Sequence, residues 1–556
     1  MAYVMLATLI LPLAGAVAIT GDRTVARWVA LVTTLAVLVL AVVLAAAYPP
    51  GAANFAATDL SWFGGAAASV DIRFHVALDG LSLWLFALTA LLMVVSVLVS
   101  WEAIEDQALL FYRLLLILET GMLGVFVARD IILFYLFFEF TLIPLFFLIG
   151  IWGSQQRRYA AVKFFLFTLA GSLLTFLALL AIVFWDFYHS PTDRMTFSIA
   201  ELTQHLRDQP MSPRLQFWVF LGLFVGFAIK VPLVPLHTWL PLAHVEAPVA
   251  GSVLLAGVLL KIGAYGFVRF NLAMLPEATA AAMPWLLWLS VAGIVYGALV
   301  ALAQTDIKRL IAYSSVSHLG FCMLGVFALN PLGLQGGVLQ MVNHGLSTGG
   351  LFALVGMLYE RYHTRQMADL GGLAQRMPVL AFFTLLMTLA SIGLPGLNGF
   401  VGEFLTLLGM FQRAWADPPP DWAGQFRVIA VLAVSGVVLG AWYMLTFIQR
   451  VFFGPLHEPK HAGPHAPRDL CTREILALAP LAAVIVWIGV QPSFFLDRLS
   501  PTLETLRAPY SAVGSPGDAR AGQARPLHGR GSSGRATDPP LHARDANHHS
   551  RSSTTN

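Results

Sequence analysis

Long apolar stretches dominate this sequence and constrain its fold more than any other feature. A helix of about 20 apolar residues is long enough to cross a bilayer. We count fourteen such stretches, at residues 2–19, 26–46, 80–100, 108–127, 130–150, 161–188, 215–240, 248–270, 279–303, 307–329, 334–358, 378–412, 426–450 and 473–495. We find no strand-like alternation, which disfavours a β-barrel. The sequence therefore predicts an all-α polytopic membrane protein with about 14 transmembrane helices.

Composition supports this class. Of the 556 residues, 58% are hydrophobic and 11% are charged, and the mean hydropathy is +0.75. The net charge of +3 does not indicate a nucleic-acid partner. Two cysteines, Cys322 and Cys471, are too few for an iron–sulfur cluster. The first stretch, "MAYVMLATLILPLAGAVAIT", lacks a positive leading region, so we interpret it as a retained helix and not a cleaved signal.

The loop charges predict an orientation. With the N-terminus outside, the inner loops hold fourteen lysines and arginines and the outer loops hold eight. The excess of positive charge on the inner side favours both termini on the outer side. Residues 510–556 are rich in Gly, Pro, Ser, Arg and His, so we expect a disordered polar tail.

Six ionisable residues lie within the apolar stretches: Glu139, Lys230, Lys261, His318, His344 and Glu403. Intramembrane charges are rare and usually mark an ion path or a proton relay. Five of the six lie roughly nine to eleven residues from the outer end of their helices, about 14–16 Å deep at 1.5 Å per residue. This is the middle of a hydrocarbon core about 30 Å thick. The common depth predicts a polar path in the plane of the membrane.

Two of the helices are predicted to be broken. In "AIKVPLVPLHTWLPLAHVEAP" (228–248), Pro232 and Pro235 remove backbone hydrogen bonds directly after Lys230. In "SIGLPGLNGFVGEF" (391–404), Pro395 lies among glycines and Glu403 follows. Broken helices are tolerated in a membrane where they line a cavity. Their matching places predict two inverted five-helix repeats, formed by stretches four to eight and nine to thirteen.

Structural roles compete with the relay for several of these residues. Lys230 could reach an interface with its ammonium, Glu139 could be a static partner of Lys230, and Glu403 could cap the helix after its break. For His318 and His344, core packing accounts for the residue as well as a relay does. His237 and His244 fit packing and proton uptake equally well, and we assign no role to Arg113 or Glu119.

Two motif matches fail on their context. "GRGSSG" (529–534) fits a dinucleotide-binding pattern, but no strand precedes it and no helix follows it. "HEPKH" (457–461) fits a zinc-hydrolase pattern, but the neighbouring prolines oppose the helix that this pattern requires. We interpret the second segment as a solvated loop.

Several segments resemble the proton-translocating, antiporter-like subunits of respiratory complex I, the proton-pumping NADH:quinone oxidoreductase. They are "FYLFFEFTLIP", "HTWLPLAHVEAPVAGSVLLAGVLLKIGAYGFVRF", "DIKRLIAYSSVSHLG", "NHGLSTGGLF" and "LPGLNGFVGEF". Within that family, subunits L and N and the Mrp antiporters typically carry lysine in the twelfth helix, whereas subunit M carries glutamate. Glu403 therefore implies a subunit M-like chain. Leu242 departs from relatives that have Asp in "WLPDAH", which weakens a role for this position in proton uptake.

The resemblance implies a domain division and a set of roles. It divides the chain into three N-terminal helices (1–107), a first repeat (108–270), a second, inverted repeat (279–450), an inner loop with the last helix (451–509) and the tail (510–556). It makes Glu139 and Lys230 a coupled pair, Lys261 the central relay group and Glu403 the group on the exit side. His318 and His344 would connect Lys261 to Glu403.

The resemblance also implies where the redox chemistry lies. NADH, FMN, iron–sulfur clusters and quinone would bind to partner subunits, and this chain would hold no cofactor and no metal. Its partners would be the lipid bilayer and other membrane subunits of the complex, including two homologous antiporter-like subunits, in a bacterial-type inner (plasma) membrane. The alternatives are a subunit of an Mrp-type Na⁺/H⁺ antiporter, a membrane subunit of an energy-converting hydrogenase, and a non-catalytic membrane scaffold.

Overall fold

The computed structural model describes residues 1–64, 69–190, 194–459 and 467–511. Twenty α-helices lie within these residues. In chain order they are α1 (Ala2–Ala18), α2 (Arg23–Ala47), α3 (Gly80–Val99), α4 (Ala108–Val127), α5 (Ile131–Phe140), α6 (Leu142–Trp152), α7 (Arg157–His189), α8 (Ile199–Asp208), α9 (Pro213–Lys230), α10 (Trp239–Glu246), α11 (Val249–Leu254), α12 (Leu260–Gly266), α13 (Pro276–Leu302), α14 (Ile307–Phe327), α15 (Pro331–Tyr362), α16 (Pro378–Ser391), α17 (Asn398–Trp415), α18 (Ala423–Phe452), α19 (Thr472–Val490) and α20 (Ser493–Ser511).

The helices confirm the predicted membrane class. Among the described residues, twelve helical segments are long and apolar enough to cross a bilayer, and α1 and α16 are shorter apolar helices. Twelve of these fourteen coincide with predicted stretches to within six residues. The other two are shorter than predicted: α9 ends at Lys230 within the stretch 215–240, and α16 ends at Ser391 within the stretch 378–412, which α17 continues after a break. Stretches four to eight and nine to thirteen are sets of five, and an odd number of crossings makes the second set begin on the opposite side of the membrane. In each set the fourth member is broken, at α9–α10 and at α16–α17.

Three features differ from the sequence prediction. The chain does form strands: β1 (Phe55–Gly64) and β2 (Val70–Leu78) make an antiparallel hairpin, and β3 (Met195–Thr196) adds parallel to β2. The helices α8 and α20 were also not predicted, because both are amphipathic and too polar for a hydropathy criterion. Since α20 ends at Ser511, the predicted tail begins two residues too early, and 512–556 lie outside the described residues.

The break after α9 follows from its two prolines. Pro232 has no N–H to donate to Ala228, so the Leu233 amide donates to the Ala228 carbonyl instead, at 2.9 Å. This frees the carbonyl of Ile229, which accepts from the indole nitrogen of Trp239 at 2.9 Å. The helix therefore ends at Lys230, but the carbonyls of Ala228 and Ile229 keep partners at the break.

The break between α16 and α17 depends on glycine. Gly393 and Gly396 have φ of +72° and +91°, a region that other residues rarely adopt. A β-carbon at Gly393 would also lie 2.8 Å from Oε2 of Glu403. The turn thus brings the backbone of the break against the carboxylate in the second turn of α17.

Two further irregularities lie beside predicted site residues. Pro144 cannot donate to the carbonyl of Phe140, and α5 ends there, one residue after Glu139. The eighth span is π-helical over Leu255–Leu259 and again over Phe267–Leu272, on both sides of Lys261. Such wide turns are frequently found at functional sites.

The most buried helices form the centre of the molecule. The eighth span (Val249–Leu272) and α15 are buried throughout their apolar windows, and α14 nearly so. By contrast, α2, α18 and α19 leave most of their apolar side chains partly or fully exposed, with Val39, Trp442 and Leu476 among the exposed ones. The outer helices therefore present an apolar surface to lipid, and the central helices bury the polar site.

Candidate functional site

The centre of the site is a contact between Lys261 and His344. Lys261 is fully buried, and its ammonium nitrogen lies 2.7 Å from Nδ1 of His344. It also donates to the carbonyl of Ala256, which belongs to the π-helical turn before it. The wide turn thus turns a backbone acceptor toward an ammonium that burial would otherwise leave unpaired.

A second contact joins His318 of α14 to Glu403 of α17. Nδ1 of His318 lies 3.2 Å from Oε1 of Glu403, and both side chains are buried. On the other side of the ring, Nε2 of His318 lies 3.2 Å from Oγ of Ser391 and 3.5 Å from the hydroxyl of Tyr443. The imidazole therefore has polar partners at both nitrogens, as a group that receives and passes a proton requires.

The two contacts meet between the histidines. The ring centres of His318 and His344 are 5.7 Å apart and tilted by 43°. Nε2 of His344 is buried and has no hydrogen-bond partner among the described residues. Lys261, His344, His318 and Glu403 thus form one file of four side chains from four different helices, which we call the central file.

Glu403 is held by a wider polar network. Its Oε1 accepts from Nε2 of Gln340 at 3.2 Å. Gln340 in turn accepts from Nδ2 of Asn343 at 3.1 Å, and Asn343 also donates to the carbonyl of Asn398 at 2.8 Å. These residues fix the carboxylate at the break before α17, and hydropathy gave no signal for them.

Lys230 and Glu139 form a separate group. The Lys230 ammonium lies 4.7 Å above the ring of Phe138, next in the chain to Glu139. Glu139 is near enough to interact electrostatically with it. In the described part of the chain, however, the two do not form a close ion pair, and Oε1 of Glu139 is buried without a hydrogen-bond partner.

No direct polar contact joins Lys230 to Lys261 among the described residues. Their helices are nevertheless in tight contact, because Gly263 packs against Lys230 itself. A β-carbon at Gly263 would lie 2.8 Å from Cβ of Lys230, from the carbonyl oxygen of Phe227 and from Val231. The structure therefore unites four of the six predicted residues and leaves the other two beside them, across an apolar contact.

His244 is a buried polar residue to which the sequence assigned no clear role. Its ring stacks on Phe352, with centres 4.6 Å apart, and neither ring nitrogen has a described partner. It is close enough to interact electrostatically with both Lys261 and Lys308. Lys308 and Phe352 also line a cavity of about 460 Å³, together with Glu360. His244 thus lies between the central file and a cavity at the ends of the helices.

The described residues contain no group of three or more His, Cys, Asp or Glu side chains that could hold a metal ion. In "HEPKH", His457 pairs with Gly371 in a β-bridge, and Glu458 forms an ion pair with Arg376 at 3.1 Å. This part of the motif is therefore extended and not helical. Residues 460 and 461, like the "GRGSSG" segment, lie outside the described ranges.

Comparison with known proteins identifies the fold and its family. The family of NADH:quinone oxidoreductase/Mrp antiporter transmembrane subunits matches residues 128–417. NADH-quinone oxidoreductase subunit M of Rhodobacter capsulatus is 42% identical over 507 residues, which is 90% of this chain and 94% of the relative. The chain belongs to this family.

Solved structures of the family show the same fold. A chain of respiratory complex I from Thermus thermophilus with bound NADH superposes with a TM-score of 0.77 at 35% identity, over 91% of this chain and 99% of that one. A chain of the Mrp complex from Dietzia has a TM-score of 0.75 at 19% identity, over 92% and 98%. At that identity the second likeness shows the fold alone, so the subunit M relative carries the family assignment.

Proposed function

We propose that this chain is a proton-translocating membrane subunit of an NADH:quinone oxidoreductase. The single observation that carries the proposal is the central file, which gives a proton four closely spaced titratable groups inside the most buried helices. If these groups served only as separate structural ion pairs, they would not need to lie in one continuous series. The family relationship indicates that NADH oxidation is the energy source, since relatives of this length and identity are subunits M of NADH-quinone oxidoreductase.

We assign the roles along the file as follows. Lys261 is the central proton-holding group, His344 and His318 pass the proton, and Glu403 releases it toward the exit. Glu139 and Lys230 form the pair that loads and unloads Lys261. A nearby carboxylate favours the charged form of a lysine, so a change in their separation changes proton occupancy.

The energy requirement fits a buried pair. Moving a proton against a force equivalent to about 180 mV costs about 4 kcal/mol. One pKa unit corresponds to about 1.4 kcal/mol, so a site must change its proton affinity by roughly three units. Two charges in water interact too weakly to shift a pKa by three units, whereas a pair withdrawn from water can produce a shift of that size.

The apolar contact between Lys230 and Lys261 is the step that needs movement. Since Gly263 touches Lys230, a shift of the end of α9 would displace α12, which carries Lys261. We infer that the pair acts on Lys261 by position as well as by charge. Electron transfer on partner subunits would drive this movement, so the subunit alone would not pump.

Orientation and proton uptake form one further part of the proposal. The positive-inside rule places both termini outside, so the cavity of about 460 Å³ near Lys308 opens on the inner side. His244 then connects this cavity to Lys261. We assign proton uptake to this cavity and release to the side of Glu403.

The redox cofactors belong to partner subunits in this proposal. NADH, FMN, iron–sulfur clusters and quinone would bind there, and the neighbouring membrane subunits would include two further antiporter-like ones. The chain in this proposal has three N-terminal helices (1–107), a first repeat (108–270), a second repeat (279–450), an inner loop with the last spanning helix and α20 (451–511), and a tail from residue 512. Glu403, in the second part of the twelfth predicted stretch (α17), distinguishes this chain from an Mrp-type antiporter subunit.

Lys261→Ala in the assembled complex tests the relay. We expect fewer protons translocated per NADH oxidised, because the file loses its central group. Lys163→Ala is the matched control, since Lys163 is partly buried against Phe167 and lies outside the file. Unchanged proton uptake in Lys261→Ala would refute the relay, and sodium uptake coupled to proton release would favour an antiporter.

A further inference from the structure

A second polar centre lies away from the central file, at the end of α3 where Asp79 caps the helix. It is a cavity of about 230 Å³. Its walls come from the hairpin, the N-terminal cap of α3, the helices α8 and α20, and the end of the eighth span. By the positive-inside rule this end faces outward.

The charges of this cavity do not balance. Three arginines line it, Arg129, Arg207 and Arg269, against one carboxylate, Asp79. Oδ2 of Asp79 lies 3.0 Å from Nη1 of Arg129 and 2.7 Å from Nη2 of Arg269, and all three side chains are buried. One carboxylate therefore serves two buried guanidiniums, and a buried charge without a counter-charge is costly.

The arginines retain unused donors. Arg129 donates through Nη2 to the carbonyl of Ala53 at 3.2 Å, but its Nε is buried and has no described hydrogen-bond partner. Arg207 is exposed at the mouth and reaches the carbonyl of Thr505 at 3.5 Å. Burial lowers the pKa of His75 below its ordinary value, so this wall residue is neutral at neutral pH.

We propose that this cavity binds a phosphate-class oxyanion: the headgroup of an anionic phospholipid or free inorganic phosphate. A phosphate offers oxygens that match the planar fork of a guanidinium, and it supplies the missing negative charge. The headgroup is the better fit of the two. Apolar side chains, including Ile199, Pro501 and Leu506, form the rest of the wall, and the cavity lies at the ends of spanning helices.

Lipid binding to the purified full chain tests this proposal. Delipidated protein in detergent is titrated with phosphatidylglycerol, with phosphatidylcholine or with inorganic phosphate, while bound lipid and the thermal midpoint are recorded. We expect phosphatidylglycerol to bind and stabilise the chain, and phosphatidylcholine to do so much more weakly. Stabilisation by inorganic phosphate without lipid binding would instead assign the site to the free anion.

Variants locate the site. Arg129→Gln should weaken phosphatidylglycerol binding about 10- to 100-fold, the scale of a lost hydrogen bond to a charged group. Arg207→Gln, which leaves the buried cluster intact, should weaken it less and keep the fold. Arg73→Gln is the control. Arg73 lies in β2, which lines the cavity through His75, but its own side chain pairs with Asp59 at 2.6 Å and does not line the cavity. Equal losses in Arg207→Gln and Arg73→Gln, or no binding of either probe by the native chain, would overturn the proposal.

Discussion

Gly263→Ala should separate the two groups of the site, because Gly263 is the contact point between them. A β-carbon there would lie 2.8 Å from Cβ of Lys230, the carbonyl oxygen of Phe227 and Cγ2 of Val231. Ordinary carbon contacts are about 3.5–4.0 Å long. The helices α9 and α12 would therefore have to move apart by about 0.7 Å or more.

This displacement is large on the scale of the central file. Lys261 lies two residues before Gly263, and its ammonium is 2.7 Å from His344. A shift of about 0.7 Å either overlaps the two nitrogens or stretches the contact beyond about 3.2 Å, the limit of a good hydrogen bond. A misplacement of about 1 Å can slow a reaction by about 100-fold. We therefore expect fewer protons pumped per NADH.

The matched control is Gly251→Ala in the same span. Its β-carbon would meet Ala247 and Pro248 at 3.4 Å, which is an ordinary contact. Overpacking costs about 1–3 kcal/mol, whereas replacing a helical glycine by alanine gains about 0.8–1 kcal/mol. Gly263→Ala should thus lose up to about 2 kcal/mol of stability and Gly251→Ala should gain slightly.

NADH oxidation, proton uptake and thermal unfolding are measured on both variants in the assembled complex. If Gly263→Ala pumps as many protons per NADH as Gly251→Ala, the contact between α9 and α12 does not position Lys261. A loss of stability without a loss of pumping would lead to the same conclusion.

Three other changes probe the surrounding structure. Asp79→Asn should cost about 3–5 kcal/mol in thermal unfolding, because it leaves two buried guanidiniums without their carboxylate. Burial opposes ionisation of Asp79, but the guanidiniums hold its pKa well below the ordinary value, so this stability is present above about pH 4 and should be lost only as the pH falls further. Pro144→Ala restores an amide donor to the carbonyl of Phe140, so we expect a higher thermal midpoint. If the break after Glu139 serves the relay, proton uptake should also fall. Unchanged proton uptake would show that the break has a structural role only. Glu119→Gln should leave NADH oxidation and proton uptake unchanged, since both carboxylate oxygens are buried without described partners and the relay does not use them; impaired pumping would require a revised path.

Hydropathy was sufficient to locate the spanning helices, because a helix that crosses the bilayer must be apolar over most of its length, whether lipid or protein covers it. It missed the elements that do not cross the bilayer. The strands β1 and β2 are too short for a spanning-helix criterion and the helices α8 and α20 are too polar for it, although β2 alternates apolar and polar residues from Val70 to Val76. Length and hydropathy together therefore predict the spanning helices and miss the elements that cover their ends.

The site shows a different limit. Helix depth predicted that the ionisable groups lie at one level, because position along a helix is fixed by 1.5 Å per residue. Depth does not fix rotation or side-chain direction. It could not predict that Lys261 faces His344, or that a π-helical turn offers it the carbonyl of Ala256. It also could not separate Lys230 and Glu139 from the other four residues.

The two broken helices differ in a way that bears on where proton transfer is controlled. The break before α17 is polar, since Glu403 there contacts both His318 and Gln340. The break after α9 is closed by protein groups, since Trp239 and Leu233 already bond to its freed carbonyls and a phenyl ring faces the Lys230 ammonium. A connected polar file transmits a proton readily, whereas an apolar contact must change shape first. We therefore infer that the apolar contact between Lys230 and Lys261 controls transfer and that the central file conducts it.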